Sequence, residues 1–197
     1  NKMTTSKRNQ SEIDLILELF AQGKLNEVLK KISIINNDFP NQSLLCNIAG
    51  ACHAGLGQFS EAIKCYKEAI AIKPDYAKAH YNLGGAFHEL DNLDDAIKSY
   101  QKSISFDSNY AQAHNNLGNV FRDNDQFDDA IKCFKKAFEL NPLYIEAKYS
   151  LAITLQYLGD FECIEHFEKV VALKPDFAES HNLSLIHILL CRRLLTF

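Results

Sequence analysis

Apolar residues along this chain recur at helical spacing in short runs, and each run stops at a small group of turn-forming residues. In SEIDLILELFAQG, Ile13, Ile16, Leu17 and Phe20 form one stripe, with Ser11 placed as an N-cap and Gly23 ending the helix. Leu25, Val28, Leu29 and Ile32 form the next stripe, which closes at Asn36-Asn37-Asp38-Phe39-Pro40. Before them, residues 1–10 are polar and aperiodic and are expected to be a disordered lead-in.

The stripes themselves repeat. Ala77 to Tyr110 laid over Ala111 to Tyr144 gives Ala, His, Asn, Leu, Gly, Phe, Asp-Asp-Ala-Ile-Lys and Tyr at matched slots, with a period of 34 residues. Counting Ala77 as slot 1, the copies are 9–42, 43–76, 77–110, 111–144 and 145–177, with a partial sixth from 178. The prolines keep the phase: Pro40 and Pro74 are 34 apart, Pro142 follows 68 later, and Pro175 a further 33. The fifth copy has therefore lost one residue, near Glu162 and Cys163, where Glu162-Cys163-Ile164 answers Asp128-Asp129-Ala130-Ile131.

Each copy predicts a helix over slots 2–14 and a second over slots 17–30. The turns between them are Leu56-Gly57-Gln58, Leu90-Asp91-Asn92, Asn124-Asp125-Gln126 and Leu158-Gly159-Asp160. Ser60, Asp94, Asp128 and Glu162 are placed to favour the start of the second helix, and Asp94 with Lys98 and Asp128 with Lys132 are expected as i,i+4 pairs.

With this spelling the chain resembles the tetratricopeptide-repeat (TPR) family over roughly residues 9–182. The family's small residue at slot 8 appears as Gly50, Gly84, Gly118 and Ala152, and its slot 11 aromatic as Phe87 and Phe121. The slot 20 alanine is Ala62, Ala96 and Ala130; slot 24 holds Tyr66, Tyr100, Phe134 and Phe167; slot 27 holds Ala69, Ser103, Ala137 and Val170. The first copy is looser, with Ile16, Val28 and Ile32 at slots 8, 20 and 24. The resemblance implies an all-α fold, a right-handed superhelical solenoid of antiparallel helix pairs with a groove lined by first helices. Stacking is needed because no single helix pair can bury its apolar stripe alone. Glycine inside a helix costs roughly 1 kcal/mol against alanine, and its expected reason at slot 8 is that the second helix crosses there, the backbones closing while slots 20 and 24 fill the groove.

Composition narrows the function. A 47% hydrophobic content is ample for a continuous core, and with no linker-like stretch a single elongated domain over residues 11–183 is expected. A net charge of −4 argues against phosphate neutralisation, so no nucleic-acid partner is expected. The six cysteines, at 46, 52, 65, 133, 163 and 191, show neither CxxC nor zinc spacing, and read as reduced thiols of a cytoplasmic-type compartment. No apolar run reaches spanning length and no secretory signal stands out, although Asn1 precedes Met3, which leaves an upstream targeting segment open.

Candidate binding residues come from the resemblance, which places slots 2, 5, 6, 9, 12 and 13 of first helices in the groove. The selected set is Asn47, Lys78, Tyr81, Asn82, His88, Gln112, Asn115, Asn116, Asn119, Arg122, Tyr149 and Gln156. Amides can bond the backbone of an extended peptide without demanding a side chain, and tyrosine adds contact area at low entropic cost. A protein or peptide segment is therefore the expected partner. The cationic carboxylate clamp of chaperone-binding TPR domains is missing, because Asn47, Gln112 and Asn116 stand where it needs Lys or Arg. The alternative is a substrate-recruiting arm of a larger enzyme, on the pattern of the asparagine ladder of O-linked N-acetylglucosamine transferases, which Asn82 and Asn116 match and Ile48 and Ser150 do not.

His80, His114 and His181 share slot 4 and read as interhelical packing residues, whereas His88 is expected to be exposed. Gly84-Gly85 falls inside a helix, so it forms no phosphate loop, and no constellation for catalysis, a metal or a cofactor is found. After Leu183 the pattern is abandoned in SLIHILLCRRLLTF, and residues 184–197 are expected to be an atypical apolar segment, truncated or non-native, the alternative being a helix that caps the last repeat with its apolar side.

Overall fold

Ten helices follow one another along the described residues with no strand among them: α1 (Lys2–Ala21), α2 (Leu25–Asp38), α3 (Ser43–Gly55), α4 (Phe59–Ile72), α5 (Ala77–Glu89), α6 (Leu93–Phe106), α7 (Ala111–Asp123), α8 (Phe127–Leu140), α9 (Ile145–Tyr157) and α10 (Glu162–Leu173). The structure is a computed structural model that describes residues 2–38 and 42–174. Pro40, Pro175, His181, Cys191, the partial sixth copy and the apolar segment 184–197 lie outside the described residues. The chain folds as two compact units, Asn1–Phe106 and Asp107–Phe197. In the first, each helix packs on the next from α1 to α6, and α3 also meets α5; in the second, the same holds from α7 to α10, and α7 meets α9.

The turn inside each pair depends on one position. Gly23, Gly57 and Gly159 have φ of +72°, +74° and +73°, and Asp91 and Asp125 have φ of +57° at the same slot. A left-handed residue there ends the first helix, and glycine or a short polar residue is what tolerates it. Backbone bonds close the turn behind it, as in Gln58 N–H to His53 O at 2.8 Å and Gln126 N–H to Phe121 O at 2.8 Å.

At slot 8 it is the slot 24 ring, more than the second helix's backbone, that leaves no room. An added Cβ at Gly50 would lie 2.5 Å from Tyr66, at Gly84 2.9 Å from Tyr100, and at Gly118 2.6 Å from Phe134, in each case meeting the ring rather than the backbone of the second helix. Tyr100 and Phe134 are 1% and 0% exposed, so the rings have nowhere to move. The first pair solves the same problem in reverse: with no ring at slot 24, Ile16 and Ile32 share the space, 0% and 4% exposed. Behind them Ala62, Ala96 and Ala130, with Ala69 and Ala137, let paired helices close, all at 0% exposure. Ser103 takes the alanine slot only because its hydroxyl donates to Ala77 O at 2.8 Å.

Three local expectations change. α1 begins at Lys2, so Ser11 is interior rather than an N-cap and the polar lead-in is helical; propagation adds one bond per residue, and Lys, Met, Arg and Gln are good helix formers. The acidic partners of the second-helix lysines are one residue later than expected: Lys98 pairs with Asp95 at 3.4 Å and Lys132 with Asp129 at 2.9 Å, both i,i+3. Asp94, Asp128 and Glu162 do lie in the first turns of α6, α8 and α10, but the capping bonds come from elsewhere: Gln58, Gln126 and Phe161 make none, while Asn92 Oδ1 accepts from Asp95 N–H at 3.4 Å and Asp160 Oδ1 from Glu162 N–H at 2.9 Å. The missing residue of the fifth copy falls where the sequence placed it. α10 has 12 residues against 14 in α8, and Cys163, 2% exposed, fills the slot that Ala130 holds in α8.

Candidate functional site: amides on the first helices

First helices carry the candidate residues, and the two units use them differently. On α3, Asn47 is only 4% exposed, and its Oδ1 accepts from Asn82 Nδ2 on α5 at 2.9 Å. Slot 5 of one first helix thus meets slot 6 of the next. Tyr81, beside Asn82, rests against Tyr100 with ring centroids 5.7 Å apart. Lys78 is exposed, and His88 is half-buried rather than exposed.

On α7, Asn115 occupies the slot of Asn47 and is 5% exposed, yet its Nδ2 turns to its neighbour Asn116 Oδ1 at 3.2 Å and its own Oδ1 has no partner. The counterpart of Asn82 on α9 is Ser150, which supplies no amide. One turn along α7, Asn119 Oδ1 is likewise buried without a partner. Residues four apart share a helix face, so α7 presents two unsatisfied carbonyls in line. Arg122 continues that helix, its Nε 3.6 Å from Asp123 Oδ1 and its guanidinium 5.9 Å from the Phe134 ring. Gln112 is exposed; Asn116, Tyr149 and Gln156 are half-buried, with Tyr149 edge-on to Phe167 at 6.2 Å and its hydroxyl pKa raised by burial.

The slot 4 histidines find their bonds in the preceding turn, His80 Nε2 to Pro74 O at 2.9 Å and His114 Nε2 to Ser108 O at 3.2 Å. The fifth copy has Lys148 there, a residue the sequence reading passed over although it breaks the slot. Lys148 is 4% exposed, its Nζ lies 3.6 Å from the Phe138 ring centroid, and burial lowers its pKa, helped by Lys169. His166 on α10 has a buried Nδ1 without a partner and a pKa lowered by burial first and Lys148 second.

Cys46, Cys52, Cys65, Cys133 and Cys163 are free thiols. Burial pushes Cys52, Cys65 and Cys133 up to about 11, which leaves little thiolate at neutral pH. Among the described residues no group of three His, Cys, Asp or Glu could hold a metal ion, and no helix is long and apolar enough to cross a membrane.

A family model described as TPR repeat matches residues 54–91 and 85–124, and one described as tetratricopeptide repeat matches 111–144. Residues 54–144 are tetratricopeptide repeats. This TPR chain is 37% identical over 90 residues to an Hsp70-Hsp90 organising protein of Plasmodium falciparum, a match spanning 43% of the chain but 35% of that protein. A peroxisomal targeting signal receptor of Kluyveromyces lactis is 43% identical over 44 residues, 22% of this chain and 8% of the receptor. Among solved structures, MamA of Desulfovibrio magneticus RS-1 superposes with a TM-score of 0.77 at 20% identity, covering 85% of this chain and 95% of that one. YrrB, a TPR protein with an unusual peptide-binding site, gives 0.71 at 19% identity over 94% and 99%. The fold is an all-α TPR solenoid, and the likeness to these structures extends to fold alone.

Proposed function

We propose that the chain is a protein-interaction scaffold whose first helices hold an extended segment of a partner protein. The observation that carries this reading is the pair of buried, unpartnered carbonyls of Asn115 and Asn119. A buried acceptor left unmade costs about 1–3 kcal/mol, a cost that would be removed by turning the two side-chain amides outward onto a partner's N–H groups. The spacing also suits such a partner. Four residues of α-helix rise about 6 Å, and two residues of extended chain, the repeat at which its N–H groups face one way, advance about 6.6 Å. Amide acceptors of this kind read a backbone rather than a side chain, and the half-buried Tyr149 adds flat apolar area nearby.

The Plasmodium relative supports the scaffold role, since its name is that of an organiser of other proteins. The residues standing where a carboxylate clamp needs cations are amides, so the segment is held along its length rather than by its terminus. The test is a peptide-array selection with the wild-type chain, followed by titration of the selected peptide against Asn115→Ala/Asn119→Ala. Binding should weaken about tenfold or more, since each lost backbone bond is worth about 0.5–1.5 kcal/mol, and N-methylation of alternate peptide residues should do the same. Unchanged affinity in both arms would overturn the assignment.

A further inference from the structure

Where the turn between α7 and α8 meets the C-terminal end of α9, within the second unit, lies a cleft of about 360 Å³. Such a volume is at the small end of the roughly 300–1,000 Å³ found for ligand clefts. Its lining mixes two chemistries: Asp125, Asp128 and Asp129 supply carboxylates, and Phe127 and Leu158 supply apolar wall. Tyr157 extends that wall, its ring 5.0 Å from the Phe127 ring while 73% of the residue stays exposed. Of the acids, Asp129 is tied to Lys132 at 2.9 Å, whereas the Asp125 and Asp128 carboxylates make no hydrogen bond or ion pair among the described residues, Lys132 acting on Asp128 only at longer range. The N-terminus of α8 would by itself favour an anion, but Asp128 and Asp129 already occupy its first turn, and Asp125 leaves the balance negative.

The other copies serve as an internal control. The equivalent stretch of the second copy, Gly57 to Glu61, carries a ring at Phe59 but only one acid, and Glu61 is paired with Lys64 at 2.8 Å. The third copy, Asp91 to Asp95, carries acids without a ring. The fifth copy, Gly159 to Cys163, sets Phe161 beside Asp160 and Glu162, but Asp160 Oδ1 is engaged by Glu162 N–H at 2.9 Å. Aromatic wall and two carboxylates without side-chain partners coincide in the fourth copy.

We propose that this cleft is a second docking point, separate from the amide face, which takes the arginine side chain of a partner segment. Charge complementarity argues for a cation, and the exposed rings argue for one with a flat face and an apolar stem. A guanidinium stacks on aromatic rings, forks onto two carboxylates and carries three methylenes to lie along Leu158. The proposal does not depend on what the amide face binds.

The test is amide chemical-shift mapping on the full chain with the probe acetyl-Gly-Arg-Gly-amide and its citrulline twin, which keeps the shape and removes the charge. Saturable shifts confined to residues 125–129 and 157–158, absent with citrulline, are expected. Asp125→Asn/Asp128→Asn should weaken them about threefold or more, in line with exposed ion pairs, while Asp94→Asn in the third copy leaves them unchanged. Shifts spread equally over Asp94 and Asp95, shifts of the same size with citrulline, or no shift in a folded chain would each overturn the proposal.

Discussion

Asn47 and Asn115 hold the same slot and are almost equally buried, but one is bonded across to the next first helix and the other leaves its carbonyl empty. The difference comes from a single position, Asn82 against Ser150. It teaches that a repeated buried amide is not one feature repeated: in the first unit it joins neighbouring helices, and in the second its carbonyl is left without a partner. The amide bridge adds a polar bond to a packing scheme that both units already share, so the largest effects should come from that scheme and should not distinguish the units. Gly84→Leu and Gly118→Leu should each destabilise by about 3 kcal/mol or more, because the added side chain meets Tyr100 or Phe134 with no room to yield. Thermal unfolding followed by circular dichroism checks this. Phe134→Leu should recover part of the loss from Gly118→Ala, since the two positions share one space; strict additivity would refute the ring-on-glycine contact.

The amides should separate the units. Asn82→Ala removes the donor and leaves Asn47 buried and unpaired, a loss of about 1–3 kcal/mol. Asn115→Leu does the opposite, replacing an unsatisfied polar group with a similar apolar volume, and should be neutral or stabilising by up to about 1 kcal/mol. Urea unfolding of the two variants is the sharpest comparison available. Equal losses would mean that Asn115 is satisfied in solution, and the reading of α7 as an open acceptor face would fall with it.

Much of this was legible in the sequence. The 34-residue period placed the second-helix starts at Phe59, Leu93 and Phe127 because turn and stripe both reset there, and the lost residue was visible because Pro175 came one early. What the period could not show was anything depending on two copies at once. Asn47 bonding Asn82 needs the offset between slot 5 and slot 6, and the Phe127–Tyr157 contact needs one copy's turn beside the next copy's helix end. Lys148 was missed for a related reason: in slot 4 a lysine reads as surface until the Phe138 ring beneath it is seen. The glycines were located correctly and slot 24 was expected to fill the groove beside them; what sequence could not reveal is that its ring, rather than the second helix's backbone, is what a Cβ would meet.

Acid should also distinguish the units. His166 is disfavoured as a cation by burial and by Lys148, a pull that Glu165 and Glu162 only partly offset. A base whose folded pKa lies below its unfolded value binds more protons when unfolded, so its contribution is complete above about pH 6.5 and is lost as pH falls through that value. The amides of α9 and α10 should therefore lose hydrogen-exchange protection between about pH 7 and 5.5, and His166→Gln should flatten the slope. Protection of α3 and α4, in the unit that lacks His166, is the reference over the same window. A parallel loss in both units would point to a cause other than His166.

The smallest effect belongs to the turn residue, where each unit uses both Gly and Asp. Asp91 and Asp125 sit at φ +57°, and Gly57 and Gly159 at +74° and +73°. An L residue in the left-handed region costs about 1–2 kcal/mol, less for Asp, which visits it routinely. Glycine removes that cost but gives back about 0.4–1 kcal/mol through the freedom it adds to the unfolded chain. The two nearly cancel, so Asp91→Gly should change stability by no more than about 0.5 kcal/mol, whereas Gly57→Val should lose clearly more, having both a Cβ and a branched one at positive φ. Asp91 is the cleaner site because Asp125→Gly would also strip a carboxylate from the cleft beside Phe127. If Gly57→Val unfolds at the wild-type temperature, the turn is not held left-handed, and the registry of each helix pair must be set by the ring at slot 24 alone.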